Sequence, residues 1–145
     1  TGNTITSEIY EKLLEKDNII GIKDSSGSID LLSSYCKITQ KNKAVYIGSD
    51  SLFLKSLELG AVGGVSGLSN VIAEDFVKLY ELFLNNDFIN AKLYQERVND
   101  FRMKMKVGTA PSMLKFVLSQ DKVIEKYTRF PIQPFTEGNK WKNGK

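Results

Sequence analysis

Histidine is missing from the whole chain of 145 residues. The commonest metal ligand and the commonest proton carrier near neutral pH are therefore gone, which excludes histidine-based triads and most zinc sites within the chain. Any acid–base work falls to Lys, Asp, Glu, Tyr or water. Cysteine is nearly absent as well. The single Cys36 cannot build an internal disulfide framework and suits a reducing compartment; it reads as a small helix residue with packing value and no catalytic role. Long hydrophobic runs are lacking: the longest are strand-sized, short of the roughly 20 residues a membrane-spanning helix needs. The N-terminus carries neither the basic nor the apolar segment of a secretory leader. A cytoplasmic protein without a membrane partner is expected. Neither sign of charge dominates, the net charge being +3, and the basic excess collects in Lys140-Trp141-Lys142-Asn143-Gly144-Lys145, which reads as a solvated tail. No nucleic-acid motif accompanies that aromatic among lysines, so no nucleic-acid partner is expected.

What is present is the composition of an ordinary globular domain, with 41% hydrophobic and 26% charged residues. Within it, Asn18-Ile19-Ile20-Gly21-Ile22 has the character of a buried strand, and Lys23 closes it just before the polar Asp24-Ser25-Ser26-Gly27. A lysine there either snorkels to water or stays in a low-dielectric pocket, where desolvation disfavours its charged form. A neutral amine can attack a carbonyl.

Along the chain, Ser7 to Lys16 carries Ile9, Leu13 and Leu14 at helical spacing, with Thr6 or Ser7 as cap. Ser28 caps a second predicted helix through Thr39, and Lys41-Asn42-Lys43 makes a turn into the strand Ala44-Val45-Tyr46-Ile47. Gly48-Ser49-Asp50 ends that strand. Ser51 to Leu59 reads as a third helix, with Gly60 as its C-cap. Ala61 to Val65 is a third predicted strand, glycine-rich enough to expect close approach of another backbone or a ligand. Beyond the exit loop Ser66-Gly67-Leu68-Ser69-Asn70, helices are predicted from Ile72 to Leu84, from Phe88 to about Lys106 and from Ser112 to about Lys126. Phe130 to Phe135, with two prolines, reads as an extended strap.

Three rounds of short apolar strand, polar loop and helix predict an α/β fold with parallel strands. Ligand sites in such sheets lie at the C-terminal strand ends. Those ends are Lys23-Asp24-Ser25, Gly48-Ser49-Asp50 and Ser66-Gly67, and the three loops are expected to converge on one site.

Gly21 to Gly27, Tyr46 to Asp50 and Gly60 to Asn70 together resemble the last three barrel strands of the class I aldolases related to dihydrodipicolinate synthase and N-acetylneuraminate lyase. The resemblance runs in order over most of the chain, including the Arg129-Phe130-Pro131 strap. It implies a (β/α)₈ barrel, of which residues 1–84 supply strands six to eight and residues 85–145 a helical extension. It implies a Schiff base between Lys23 and pyruvate or another 2-oxo acid, because an iminium is a far better electron sink than a ketone. No metal or cofactor is then required. Gly48 and Ser49 match positions beside the substrate chain, Val65, Ser66 and Gly67 match the pocket wall of the eighth strand, and Ser25 matches a position that contacts the oxo acid in some members. Asp50 can bind a substrate hydroxyl; for it and for Asp24, capping the following helix is the alternative. Ser112 is read mainly as an N-cap, with reach to a substrate as the other role.

Such a barrel takes about 250 residues and eight strands. Only three strands are legible here, and the family's glycine and paired-threonine motif and its proton-relaying fifth-strand tyrosine are not among them. Thr1-Gly2-Asn3-Thr4 resembles the loop just after that fifth strand. The expected partners are a 2-oxo acid, an aldehyde, an N-terminal half of the barrel and further copies in a homotetramer. The expected reaction is cleavage or formation of a carbon–carbon bond beside the 2-oxo acid, with a 2-keto-3-deoxy sugar acid aldolase placed ahead of dihydrodipicolinate synthase. A non-catalytic module that binds an anion through Ser25-Ser26-Gly27 and Gly63-Gly64 is the reading from another class.

Overall fold

The computed structural model describes residues 3–40 and 42–136. Thr1, Gly2, Lys41 and the Lys140–Lys145 tail lie outside the described residues. Helix α1 (Ser7–Leu14) begins at Thr6, whose hydroxyl accepts from the Ile9 N–H at 3.3 Å. Strand β1 (Gly21–Asp24) follows, then α2 (Ile29–Ile38), capped by Ser28 through a 3.2 Å bond from the Leu31 N–H. Strand β2 (Ala44–Ile47) leads into a 3₁₀ turn (Asp50–Leu52), helix α3 (Phe53–Glu58) and β3 (Gly63–Gly64). Three further helices complete the chain: α4 (Ser69–Leu84), α5 (Phe88–Lys104) with a 3₁₀ turn at Met105–Val107, and α6 (Ala110–Gln120). Among the described residues no helix is long and apolar enough to cross a membrane.

The strands pair in the order β1-β2-β3, parallel throughout, with Lys23 opposite Tyr46 and Tyr46 opposite Gly63. In-register partners in a pleated sheet share a face. One face therefore carries Ile22, Asp24, Val45 and Ile47 into the helices, where the last three are buried. The opposite face carries Lys23 and Tyr46, both exposed. In the sequence β1 has the character of a buried strand, whereas among the described residues only one of its faces is covered.

Packing behind the sheet explains the rest. Tyr10 of α1 and Tyr35 of α2 meet edge to face, centroids 5.1 Å apart, and the Tyr10 hydroxyl pairs with Thr39 Oγ1 at 3.1 Å. Lys43 donates to the Leu14 and Lys16 carbonyls at the C-terminal end of α1, which ties the turn before β2 to that helix. Helices α4 and α5 form a hairpin through Asn85, Asn86 and Asp87. Asn86 takes φ 60°, which asparagine tolerates, and Asp87 caps α5 through the Asn90 N–H. Leu79, Ala91 and Val98, all fully buried, lie in one core with Val45, Ile47, Met113, Phe116 and Phe135. That core runs continuously from the sheet to the C-terminal helices.

Several boundaries differ from the sequence reading. Strand β1 starts at Gly21, and Ile20 is strongly exposed. Strand β3 shrinks to Gly63–Gly64. Close approach to these glycines is real, by backbone and by aromatic side chains: a Cβ on Gly64 would stand 2.7 Å from the Phe53 ring and 3.1 Å from the Ile47 carbonyl oxygen, and one on Gly63 would stand 3.8 Å from the Tyr46 ring. Helix α4 starts at Ser69, three residues early, with a non-helical Ile72 inside it. Helix α6 runs from Ala110 to Gln120 and not from Ser112 to Lys126; it starts early because Pro111 fits the first turn of a helix, where its missing N–H costs nothing.

Candidate active site

Lys23 stands on the open face of β1, and its side chain leans toward the neighbouring strand. A Cβ built on Gly48 would come within 2.7 Å of Lys23 Cε and closer still to Ser25 Oγ. The lysine stem, the serine hydroxyl and the bare Gly48 backbone are thus packed together where β1 and β2 end. Lys23 is exposed. The dry surroundings that one reading of the sequence gives it are not supplied by the described residues. Beside it, at the free edge of β1, lies a cleft of about 320 Å³ lined by Asn3, Thr4, Lys23, Ser25 and Tyr35 among others. The Tyr35 hydroxyl donates to the Ile5 carbonyl, which holds the N-terminal segment against this edge. A larger cleft, about 640 Å³, lies between α4 and α5 and contains none of the strand-end residues.

Asp50 enters the same neighbourhood from the turn after β2. Burial pushes its carboxyl above the ordinary carboxylate range; the Ser66 hydroxyl and the charges of Arg102 and Lys23 offset part of that. Its Oδ1 is buried without a hydrogen-bond partner among the described residues. Asp50, Ser66 and Lys23 therefore share one electrostatic environment, and the three strand-end loops meet as the spacing predicts. Ser49 pairs its hydroxyl with Ser51 at 3.3 Å and makes no capping bond.

Val65 is half exposed at the end of β3, its N–H donating to the Ile47 carbonyl at 2.8 Å. Ser66 Oγ accepts from the Ser69 N–H at 3.0 Å and so serves the start of α4 as well as facing Asp50. Gly67 backs onto α6, where an added Cβ would meet Leu114 Cδ1 at 3.5 Å.

Two readings need correction. Asp24 does not cap α2; it is buried on the helix-covered side, and its Oδ1 accepts from the Ser26 N–H at 2.8 Å. Ser112 is not an N-cap either. Thr109 holds that position, and buried Ser112 donates back to its carbonyl at 3.0 Å. Cys36 stays out of the chemistry. Burial pushes its thiol up, and the charge of Asp24 adds to this, which leaves little thiolate at neutral pH. Nor is the Ser25-Ser26-Gly27 loop a free anion cradle. The Ser26 and Ser28 N–H groups are engaged by Asp24 Oδ1 and Ser26 Oγ.

Sequence reasoning missed Gln95 of α5. Nearly buried at 8% exposure, it accepts from the Leu54 N–H at 2.8 Å and donates to the Asp50 carbonyl at 2.9 Å. The spacing of Gln95, Asn99 and Arg102, four then three residues apart, could have flagged a polar stripe on one helix face.

The model of the dihydrodipicolinate synthetase family matches residues 1–145. The chain belongs to that family. Among its relatives, the 4-hydroxy-tetrahydrodipicolinate synthase of Oceanobacillus iheyensis is 30% identical over 94% of this chain and 46% of its own length. The dihydrodipicolinate synthase of Bacillus anthracis superposes with a TM-score of 0.88 at 27% identity, covering 93% of this chain and 46% of that one. The 2-keto 3-deoxygluconate aldolase of Picrophilus torridus does so with 0.81 at 29% identity, covering 92% and 49%. The chain spans about half the length of the family members it matches. Their names include both activities weighed from the sequence, and the synthase recurs among them far more often than the aldolase.

Proposed function

We propose that the protein carrying this chain is a Schiff-base lyase in which Lys23 condenses with a 2-oxo acid of the pyruvate type. The observation that carries this reading is the Lys23 stem laid across Gly48 beside Ser25, at the mouth where all three strands end. In the proposed reaction the Lys23 amine adds to the keto carbon, and the carbonyl oxygen leaves as water. The resulting iminium draws electrons from the adjacent carbon, so a proton can leave it and the enamine so formed can attack an aldehyde carbonyl. Water then releases the product and regenerates the amine. Ser25 and the Gly48-Ser49 backbone are proposed to line the oxo acid, Val65, Ser66 and Gly67 the opposite wall, and Asp50 the aldehyde end.

Within that class we place a 4-hydroxy-tetrahydrodipicolinate synthase first, because that name recurs among the relatives, which reverses the order set from the sequence. A 2-keto-3-deoxy sugar acid aldolase is the second reading, supported by one observation: Asp50 keeps an oxygen without a partner among the described residues, as a site for a sugar hydroxyl would. We also propose that strands outside these residues close the sheet into the (β/α)₈ barrel, with β1, β2 and β3 as strands six to eight. The outer edges of β1 and β3, unpaired among the described residues, and the face around Lys23 that those residues leave open support this. A cytoplasmic homotetramer belongs to the same proposal, on the family resemblance.

Borohydride reduction of the complete protein with pyruvate tests the central step. Mass added at Lys23, and none in Lys23→Ala, is expected. No adduct in the intact protein would overturn the lyase reading. Turnover of an aldehyde bearing amino and carboxylate groups against turnover of glyceraldehyde separates the two activities.

A further inference from the structure

Helix α5 approaches the proposed pocket from behind, and it does so with polar groups. Gln95 spans the turn that follows β2: its Oε1 holds the Leu54 N–H at 2.8 Å and its Nε2 holds the Asp50 carbonyl at 2.9 Å. A second bond from Nε2 to Asn99 Oδ1 at 3.1 Å fixes which way the amide faces. Both ends of one planar amide thereby bracket residues 50–54. Arg102, two turns beyond Gln95 on the same helix face, brings its charge to bear on the Asp50 carboxyl. A helix meant only to cover the sheet would present apolar groups here, as Val98 and Phe101 do beside them. Burying an amide so deeply costs free energy unless every polar atom is matched, and here each is.

We propose that Gln95 is a positioning residue for the active site: through the backbone of Asp50 it fixes where that carboxylate points, and so sets how well a hydroxylated or otherwise polar aldehyde is held. The proposal rests on the lyase reading above. Lys23 lies on β1 and makes no bond to Gln95, so the two halves of the reaction separate. Loss of the clamp disturbs the aldehyde while the oxo acid still finds its amine.

The test uses the complete protein with pyruvate and with the better used of glyceraldehyde and an amino-acid aldehyde. Gln95→Met removes all three bonds at nearly constant volume. It is expected to raise the aldehyde KM about tenfold, since small displacements of a positioned group weigh heavily on a reaction, and to leave borohydride trapping of pyruvate at Lys23 unchanged. Asn99→Ala, which removes only the bond that orients the amide, is expected to shift the aldehyde KM in the same direction with less burden on folding. In an Asp50→Ala background no carboxylate remains to be positioned, so Gln95→Met should add less than about twofold there. Equal losses for both substrates, or the same tenfold effect in the Asp50→Ala background, would show a merely structural amide and overturn the proposal. So would an unchanged aldehyde KM in both single variants, or an intact protein that traps pyruvate and uses neither aldehyde. Failure of the intact protein to trap pyruvate sinks the lyase reading instead.

Discussion

Lys23 and Gly48 are packed against each other across the β1–β2 pair, the lysine Cε lying 2.7 Å from where a Cβ of residue 48 would be. A methyl group at Gly48 would displace the lysine tip and the Ser25 hydroxyl, both ends of movable side chains, while the strand itself need not shift. Gly48→Ala is therefore expected to leave stability within about 1 kcal/mol of the parent and to cut the rate of pyruvate trapping about a hundredfold through misplacement of the amine. Thermal unfolding and the borohydride time course in the complete protein measure the two effects. A normal trapping rate would mean that the Lys23 amine does not need this path.

Asp50 couples the site to stability. Burial raises its carboxyl above the ordinary range, so the folded state holds the proton more tightly than the unfolded chain does. Ionisation then costs the fold something, and that cost is absent below the ordinary carboxylate pKa of about 3.9 and grows as pH rises through the elevated value. Asp50→Asn is expected to stabilise the protein at pH 7 relative to the parent, with the gap closing as pH falls to about 3.5. Denaturant midpoints of both proteins across that range provide the check. A gap that widens on acidification would mean that Ser66, Lys23 and Arg102 outweigh burial.

Much of this arrangement is legible in the sequence, and the exceptions have physical causes. The β2 strand and the N-caps Thr6 and Ser28 are found because apolar runs and capping hydroxyls are local signals. The meeting of Lys23, Gly48, Asp50 and Ser66 is found because strands in an α/β sheet end on one side. The start of α6 is missed because Pro111 reads as a break, although its ring suits a first helical turn. Gln95 is missed because a polar residue on a mostly polar helix reads as solvent-facing; only the packing of α5 against the Asp50 turn reveals it. Asp24 is misread as a cap because its burial depends on α2 folding over it.

Gly64 and Phe53 give a prediction about packing alone. The Phe53 ring lies where a side chain at residue 64 would go, 2.7 Å from the would-be Cβ, and is itself held edge to face against Phe76 with centroids 5.2 Å apart. An aromatic ring cannot swing aside as a lysine tip can. Gly64→Ala is expected to destabilise the fold by about 2 kcal/mol through overpacking, measured as a lower denaturant midpoint, and Phe53→Leu in the same chain should recover part of it. A neutral Gly64→Ala would mean that the ring has room to move.

The open face of the sheet bears on the isolated chain. Tyr46 is 40% exposed and Val65 52% exposed, and by strand alternation both stand beside Lys23 on the side that no helix among the described residues covers. The edges of β1 and β3, unpaired among the described residues, flank them. An apolar surface between two free strand edges favours association with whatever will pair with it. Residues 1–145 produced alone are expected to bind a hydrophobic dye and to sediment as concentration-dependent oligomers. Tyr46→Ser together with Val65→Ser should weaken both signals without altering helix content, because neither side chain enters the core behind the sheet. A monodisperse, dye-silent chain would instead mean that this face is covered from within and that the strands need no partner to close around them.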